Sequence, residues 1–240
     1  MVKAIARFFL SLKTAFGLFL AFIVLTFAGS IALPGNLAFF SGIDETPLFK
    51  WLSASGNLGL TWWIYLMIIL LAVLAVSTVF CTVESLMGKM DRRNVILRLS
   101  PQVMHIGVLL IMLGHLLTAS SGFKTDVLVK KGQGMEVGEG AAVYLEDVRV
   151  FTDENGSDTD WEAVLTWVDD ADGAEGRSLR PVHPLYLGKF GLYLKSVSMG
   201  PEPSALIRVC RDPGALWALI GGALLVAGGL GFIYSRFGSD

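Results

Sequence analysis

The chain has 240 residues, of which 53% are hydrophobic and only 17% charged, with a formal net charge of −2 and a mean hydropathy of +0.61. That composition excludes an ordinary soluble domain, and nothing in the charge balance offers a surface for nucleic acid. The two cysteines form neither a CxxC nor a CxxCH pattern, which excludes a thiol oxidoreductase and a c-type cytochrome.

A bilayer core about 30 Å thick needs about 20 consecutive apolar helical residues, and four segments meet that requirement. The first, 14–33, follows a basic N-terminus (1–13) carrying Lys3, Arg7 and Lys13. Its apolar run exceeds the roughly 7–15 residues of a signal core, so it is expected to be an uncleaved signal-anchor helix. A loop at 34–59 holds Lys50 as its one basic residue, and the second span follows at 60–84. Trp51, Trp62 and Trp63 suit the outer membrane interface, where amphipathic rings anchor. A basic loop, 85–100, carries Lys89, Arg92, Arg93 and Arg98 before a third span at 101–120. The fourth span is expected at 213–235 and a short tail, 236–240, contains Arg236. Basic residues near span ends remain on the cytoplasmic side, so both termini are expected inside and the long segment 121–212 outside.

Segment 121–212 changes character. Short runs such as "TDVLVKK", "AVYLEDVRVF", "WEAVLTWVDD" and "FGLYLKSV" alternate apolar and polar residues, and "ENGSD" and "DDADGAEG" separate them. Period-two alternation broken by turn-formers predicts an antiparallel β domain with one buried face, a small sandwich or half-barrel. Its sixteen acidic and ten basic residues keep it soluble or steer a basic partner. The expected fold class is an α-helical multi-pass membrane protein with four transmembrane helices and an extracytoplasmic all-β domain inserted between helices 3 and 4.

Cys81 falls near the inner end of span two and Cys210 just before span four, so the two cannot reach the roughly 7 Å Cα separation that a disulfide needs. The glycines of "IGGALLVAGGLGFIY" read as a close-packing surface rather than a phosphate loop. Glu84, at the border of span two, is expected to face water.

The histidines remain. His105 and His115 lie within span three, where ionisable residues are costly and mark functional sites by default. Pro101 is a fitting first-turn proline, which puts His105 one turn in, at shallow depth. His115 lies ten residues further, about 15 Å along the axis and turned by roughly 80°. Two rings so separated cannot clamp one iron, and His183, the third histidine, lies in the β segment. A bis-histidine haem within the membrane would need its second ligand from another subunit. The alternative for His115 is a ring hydrogen-bonded to a neighbouring helix, and for His183, in "PVHPLYLG", a residue that orders a turn.

Span one followed by "LPG", the "WW" opening of span two and its closing "CTVESL", "HIGVLLIMLGHLLTASSGF" leading into the outer segment, then "VHPLYLGKFGLYLKSVS" and "CRDPGALWALIGG", together resemble the ResB/CcsB family of cytochrome c biogenesis proteins. The resemblance extends over nearly the whole chain and implies three spans, an outer β-rich domain and a fourth span. It implies a place in the haem-handling pathway known as system II, beside a CcsA/ResC-type membrane subunit, in which haem b taken up at intramembrane histidines is passed outward and joined to apocytochrome c. On that resemblance His105 supplies one haem ligand and the partner the other, with His115 and His183 as further candidate cofactor contacts; the chain would be part of a haem lyase complex rather than catalytic alone, in the bacterial inner membrane with its β domain in the periplasm. The asparagine usual before the family's "HPL" is here Val182, and the outer domain is shorter than in typical members. A second reading is an integral cytochrome b-like electron-transfer or anchor subunit of a quinol-linked complex, and a third is a scaffold subunit without a cofactor.

Overall fold

The computed structural model describes residues 7–87, 95–138, 142–152, 158–169 and 173–237, and the chain divides into two units. One comprises Met1–Ile43, Leu48–Ser120 and Gly214–Asp240; the other comprises Asp44–Pro47 and Ser121–Pro213.

The first unit is helical. Helix α1 spans Leu12–Ala32 and is N-capped by Ser11, whose hydroxyl accepts from the Thr14 amide. A 3₁₀ turn at Pro34–Asn36 and two short helices, α2 (Leu37–Phe40) and α3 (Leu48–Ser55), lead to α4 (Leu58–Met87). Helices α5 (Val95–Ser121) and α6 (Ala215–Phe237) complete the unit. Within them Leu12–Ala32, Leu58–Met87, Leu99–Ser121 and Ala215–Arg236 are long and apolar enough to cross a membrane. Four helices with the length and apolarity expected of spans are therefore present among the described residues.

Three details differ from the sequence expectation. The segment 34–59 is largely helical rather than a plain loop, because its aromatic residues have one another to pack against. Phe39, Phe40, Trp51 and Trp63 cluster edge-on and stacked around buried Phe40, Leu52 and Ile64. Pro101 is not a first-turn residue, since α5 begins at Val95 and carries the proline in its interior. Lacking an N–H, Pro101 leaves the Leu97 carbonyl without its usual partner, and the polar residues beside it, Ser100 and Gln102, are buried. Finally, α4 and α5 extend into the segment expected as the basic loop 85–100; Lys3, Lys89, Arg92 and Arg93 lie outside the described residues.

Glycine at fixed spacing lets α5 and α6 touch backbone to backbone. A Cβ on Gly107 would stand 2.6 Å from the Gly221 carbonyl oxygen, and one on Gly221 would stand 2.5 Å from that of Gly107. Gly114 faces Gly214 and Ala218 in the same way, and Gly228 faces Ser100 and Met104. The contacts recur every seven residues on both helices and run in opposite directions, so the helices are antiparallel. Gly222 and Gly229, one residue further round, meet nothing, which confines the seam to one face. On α1, Gly29 lies against the Trp63 ring of α4.

The second unit is a sandwich of two four-stranded antiparallel sheets. One has the order β1 (Phe123–Lys130), β8 (Ser204–Arg211), β7 (Phe190–Ser198), β6 (Leu185–Leu187); the other has the order β2 (Gly134–Glu136), β3 (Ala142–Thr152), β4 (Asp158–Asp169), β5 (Gly173–Leu179). The predicted alternation supplies the inner faces, with Leu145 and Leu165 of one sheet and Leu192 and Ile207 of the other fully buried in a shared core. Bulges after Leu145 and Leu194 shift the register without breaking the inward set. Asp44, although distant in sequence, belongs to this unit and accepts a backbone bond from Lys124 at 2.7 Å.

Candidate functional site

An apolar helix leaves a polar side chain few partners, so the polar residues of α4 and α5 find each other. On α4, Ser77, Thr78, Thr82 and Ser85 occupy one stripe, because residues three and four apart share a face. Across from it, Gln102 and His105 share a face of α5. Gln102 Nε2 donates to Ser85 Oγ at 2.7 Å, and His105 Nδ1 lies 3.3 Å from Thr82 Oγ1. The pairs advance three residues along α4 and retreat three along α5, so they are successive rungs between antiparallel helices. The stripe continues to Ser77, whose hydroxyl donates to the Phe9 carbonyl at 2.7 Å.

Thr82 has a single hydroxyl proton, and it goes to the Thr78 carbonyl at 2.8 Å. The same Thr82 oxygen lies 3.3 Å from His105 Nδ1, with a lone pair left to face the ring. A neutral imidazole whose Nδ1–H is held and whose Nε2 is bare is the form that ligates metals. The ring is half-buried. At 1.5 Å per residue His105 lies about 9 Å inside the start of the span at Leu99. Gln102, 7% exposed, keeps its side-chain oxygen without a hydrogen-bond partner.

His115 is not brought to this ladder. Its side chain is on the exposed surface of the helical unit and has no hydrogen-bond partner among the described residues. Among the described residues this ring makes no bond to a neighbouring helix.

His183 lies in the β unit, exposed, at the end of a tight turn. Its amide donates to the Arg180 carbonyl at 3.1 Å and its carbonyl accepts from the Arg180 amide. These backbone bonds close the turn, and the imidazole itself has no hydrogen-bond partner among the described residues. Arg180 reaches back to β4, where Glu162 accepts from Ser178, Arg180 and Arg149. Those donors, the Ser178 hydroxyl first, hold the Glu162 carboxyl below the ordinary carboxylate range although the residue is 5% exposed. On the outer face of the other sheet, Arg208 grips Asp126 through two bonds of 2.7 and 2.8 Å. Nearby, Tyr186 and Tyr193 share a hydroxyl contact of 3.2 Å that, with burial, pushes Tyr193 up to about 12. Cys210 adjoins them; burial raises its thiol, and both cysteines are free.

Among the described residues no group of three or more His, Cys, Asp or Glu side chains could hold a bare metal ion. A haem would ask less of the chain than a bare ion, because its ring supplies nitrogens of its own, and a single held imidazole such as His105 would fit it. Thr82, Ser85 and Gln102 were not singled out from the sequence. Thr82 and Ser85 were legible in the stripe of "STVFCTVES", three and four residues apart, and Gln102 stands three residues before His105 on the same helix face.

No curated protein matches the chain. A solved structure titled "Cytochrome c Heme Lyase CcmF" is similar at 16% identity with a TM-score of 0.46, covering 69% of this chain; this chain spans only 29% of that one. The model of the ResB-like family matches residues 90–206, ending within β8, a stretch that includes His105, His115 and His183. Over that region, just under half of its length, the chain is similar to the ResB-like family, the family that its sequence resembles.

Proposed function

We propose that this ResB-like cytochrome c biogenesis protein is the membrane subunit of a system II complex that delivers haem and attaches it to apocytochrome c. The observation that carries the reading is the Thr82–His105 pair, which leaves His105 Nε2 bare within a span. His105 would hold haem b from this chain, with a CcsA/ResC-type subunit holding it from its own side. His115, an exposed imidazole on a membrane helix, faces that subunit rather than lipid, since an ionisable group toward hydrocarbon is costly. His183 is the imidazole available to haem on the β unit.

The chain's own residues bind and orient. Thr82 holds the ring, Ser85 and Gln102 hold the register of the two helices, and the apolar faces around them exclude water. Haem, when bound, brings the iron and the vinyl groups that become joined to apocytochrome thiols. The complex lies in the bacterial inner membrane with both termini of this chain cytoplasmic and the β unit periplasmic, an orientation supported by Arg7, Lys13 and Arg236 at the same end of the spans.

The test is the visible spectrum of the detergent-purified chain, alone and with a CcsA/ResC-type subunit, in wild type, His105→Ala, His115→Ala and His183→Ala. Haem that appears in the complex and disappears with His105→Ala supports the reading. Haem retained unchanged in His105→Ala, or absent with the partner present, overturns it.

A further inference from the structure

We infer that Thr82 is a positioning residue that selects the Nδ1–H tautomer of His105 and so presents Nε2 as the ligand atom. Its purpose rests on the haem reading above, but its geometry does not.

Thr82 is 8% exposed, and its hydroxyl has two contacts, 2.8 Å to the Thr78 carbonyl and 3.3 Å to His105 Nδ1. A carbonyl can only accept, so the Thr78 contact uses the one hydroxyl proton. What remains toward the imidazole is a lone pair, and a lone pair opposite a lone pair would repel. The proton of the neutral ring therefore belongs on Nδ1. In water the two tautomers interchange freely; within the span no other polar group among the described residues competes for this ring, and the local bond decides.

The second rung prevents escape. Gln102 Nε2 bonds Ser85 one turn away on both helices, so α4 cannot rotate or slide against α5 without breaking both contacts. Backbone contact of Gly107 with Gly221 holds α5 on its other side. Thr82 thus stands where a second-shell acceptor stands in metal sites, and loss of such acceptors weakens metal affinity by about 10–100-fold.

The experiment reads the ring nitrogens directly. The full chain, free of haem, is labelled with ¹⁵N-histidine in detergent micelles; with three histidines in the sequence, the signal lost in His105→Gln identifies His105. The expected wild-type pattern is a protonated Nδ1 and a bare Nε2. Thr82→Val, which keeps the shape and removes the acceptor, is expected to move the signals toward a tautomer mixture, and Thr82→Ser to restore the wild-type pattern. An Nε2–H tautomer in wild type, or an unchanged pattern in Thr82→Val, overturns the inference. In the complex with its partner subunit, Thr82→Val is expected to hold haem about 10–100-fold less tightly, with Thr82→Ser near wild type. Absence of haem from a complex whose His105 still shows Nδ1–H would overturn the haem reading alone and leave Thr82 in its role.

Discussion

Thr82 Oγ1 and His105 Nδ1 stand 3.3 Å apart on antiparallel helices, one turn from the 2.7 Å bond between Ser85 and Gln102. Their residues are 23 and 17 positions apart in the chain, so helix register alone brings them together. The relationship turns an isolated histidine, expensive within a membrane, into a held and directed one.

Gln102 marks the limit of that ladder, since its amide donates to Ser85 while its oxygen lies buried without a partner. Gln102→Leu removes the orphan acceptor together with one hydrogen bond. Its net effect on stability is expected to be small, within about 1 kcal/mol, measured by thermal aggregation of the solubilised chain. If the free oxygen contributes to binding, haem retention in the complex falls while the melting temperature holds.

The glycine seam makes a sharper stability prediction. Gly107→Leu would force a side chain into the Gly221 backbone, where even a Cβ finds only 2.6 Å. Overpacking of this kind costs typically 1–3 kcal/mol or more, and a lowered melting temperature with reduced yield is expected. Gly222→Ala, on the open side of the same helix, should leave both unchanged.

Glu162 predicts acid sensitivity in the β unit. Ser178, Arg180 and Arg149 hold its folded carboxyl below the unfolded value, so its contribution to stability is complete above the unfolded pKa of about 4.3. It is lost as pH falls through the lower folded value. Glu162→Gln should flatten that part of the pH profile and cost roughly 1–3 kcal/mol at neutral pH by leaving arginine donors imperfectly paired. Amide exchange of β4 residues between pH 7 and pH 3 measures both effects.

Cys210 should be a poor nucleophile. Burial raises its thiol first, and Asp212 adds to it, so little thiolate exists at pH 7.5. Iodoacetamide is expected to label the folded chain several-fold more slowly than the chain in denaturant. Equal rates would show the thiol to be freely open, and an intermolecular disulfide would then be a live route.

The spans, the inserted β unit and the small-residue character of α6 were all legible in the sequence, because each is written locally: apolar length, period-two alternation and glycine spacing need no knowledge of neighbours. The same local signal misplaced Pro101, since a first-turn proline and an interior one differ only in whether preceding residues are helical. The helicity of 34–59 was hidden for a related reason, as Phe40, Trp51 and Trp63 stabilise it only by meeting one another.

The sequence by itself determined that His105 sits in an apolar segment long enough to cross a membrane, and that His115 is too far along the same helix for the two rings to meet one metal. Only the tertiary structure decided which of the two is held. That depends on α4 and α5 running antiparallel in one register, which sets Thr82 beside His105 and leaves His115 on the exposed face. Periodicity fixes which residues of a helix share a face; which neighbour that face meets is settled by packing between distant segments, and the imidazole takes its proton position from that neighbour.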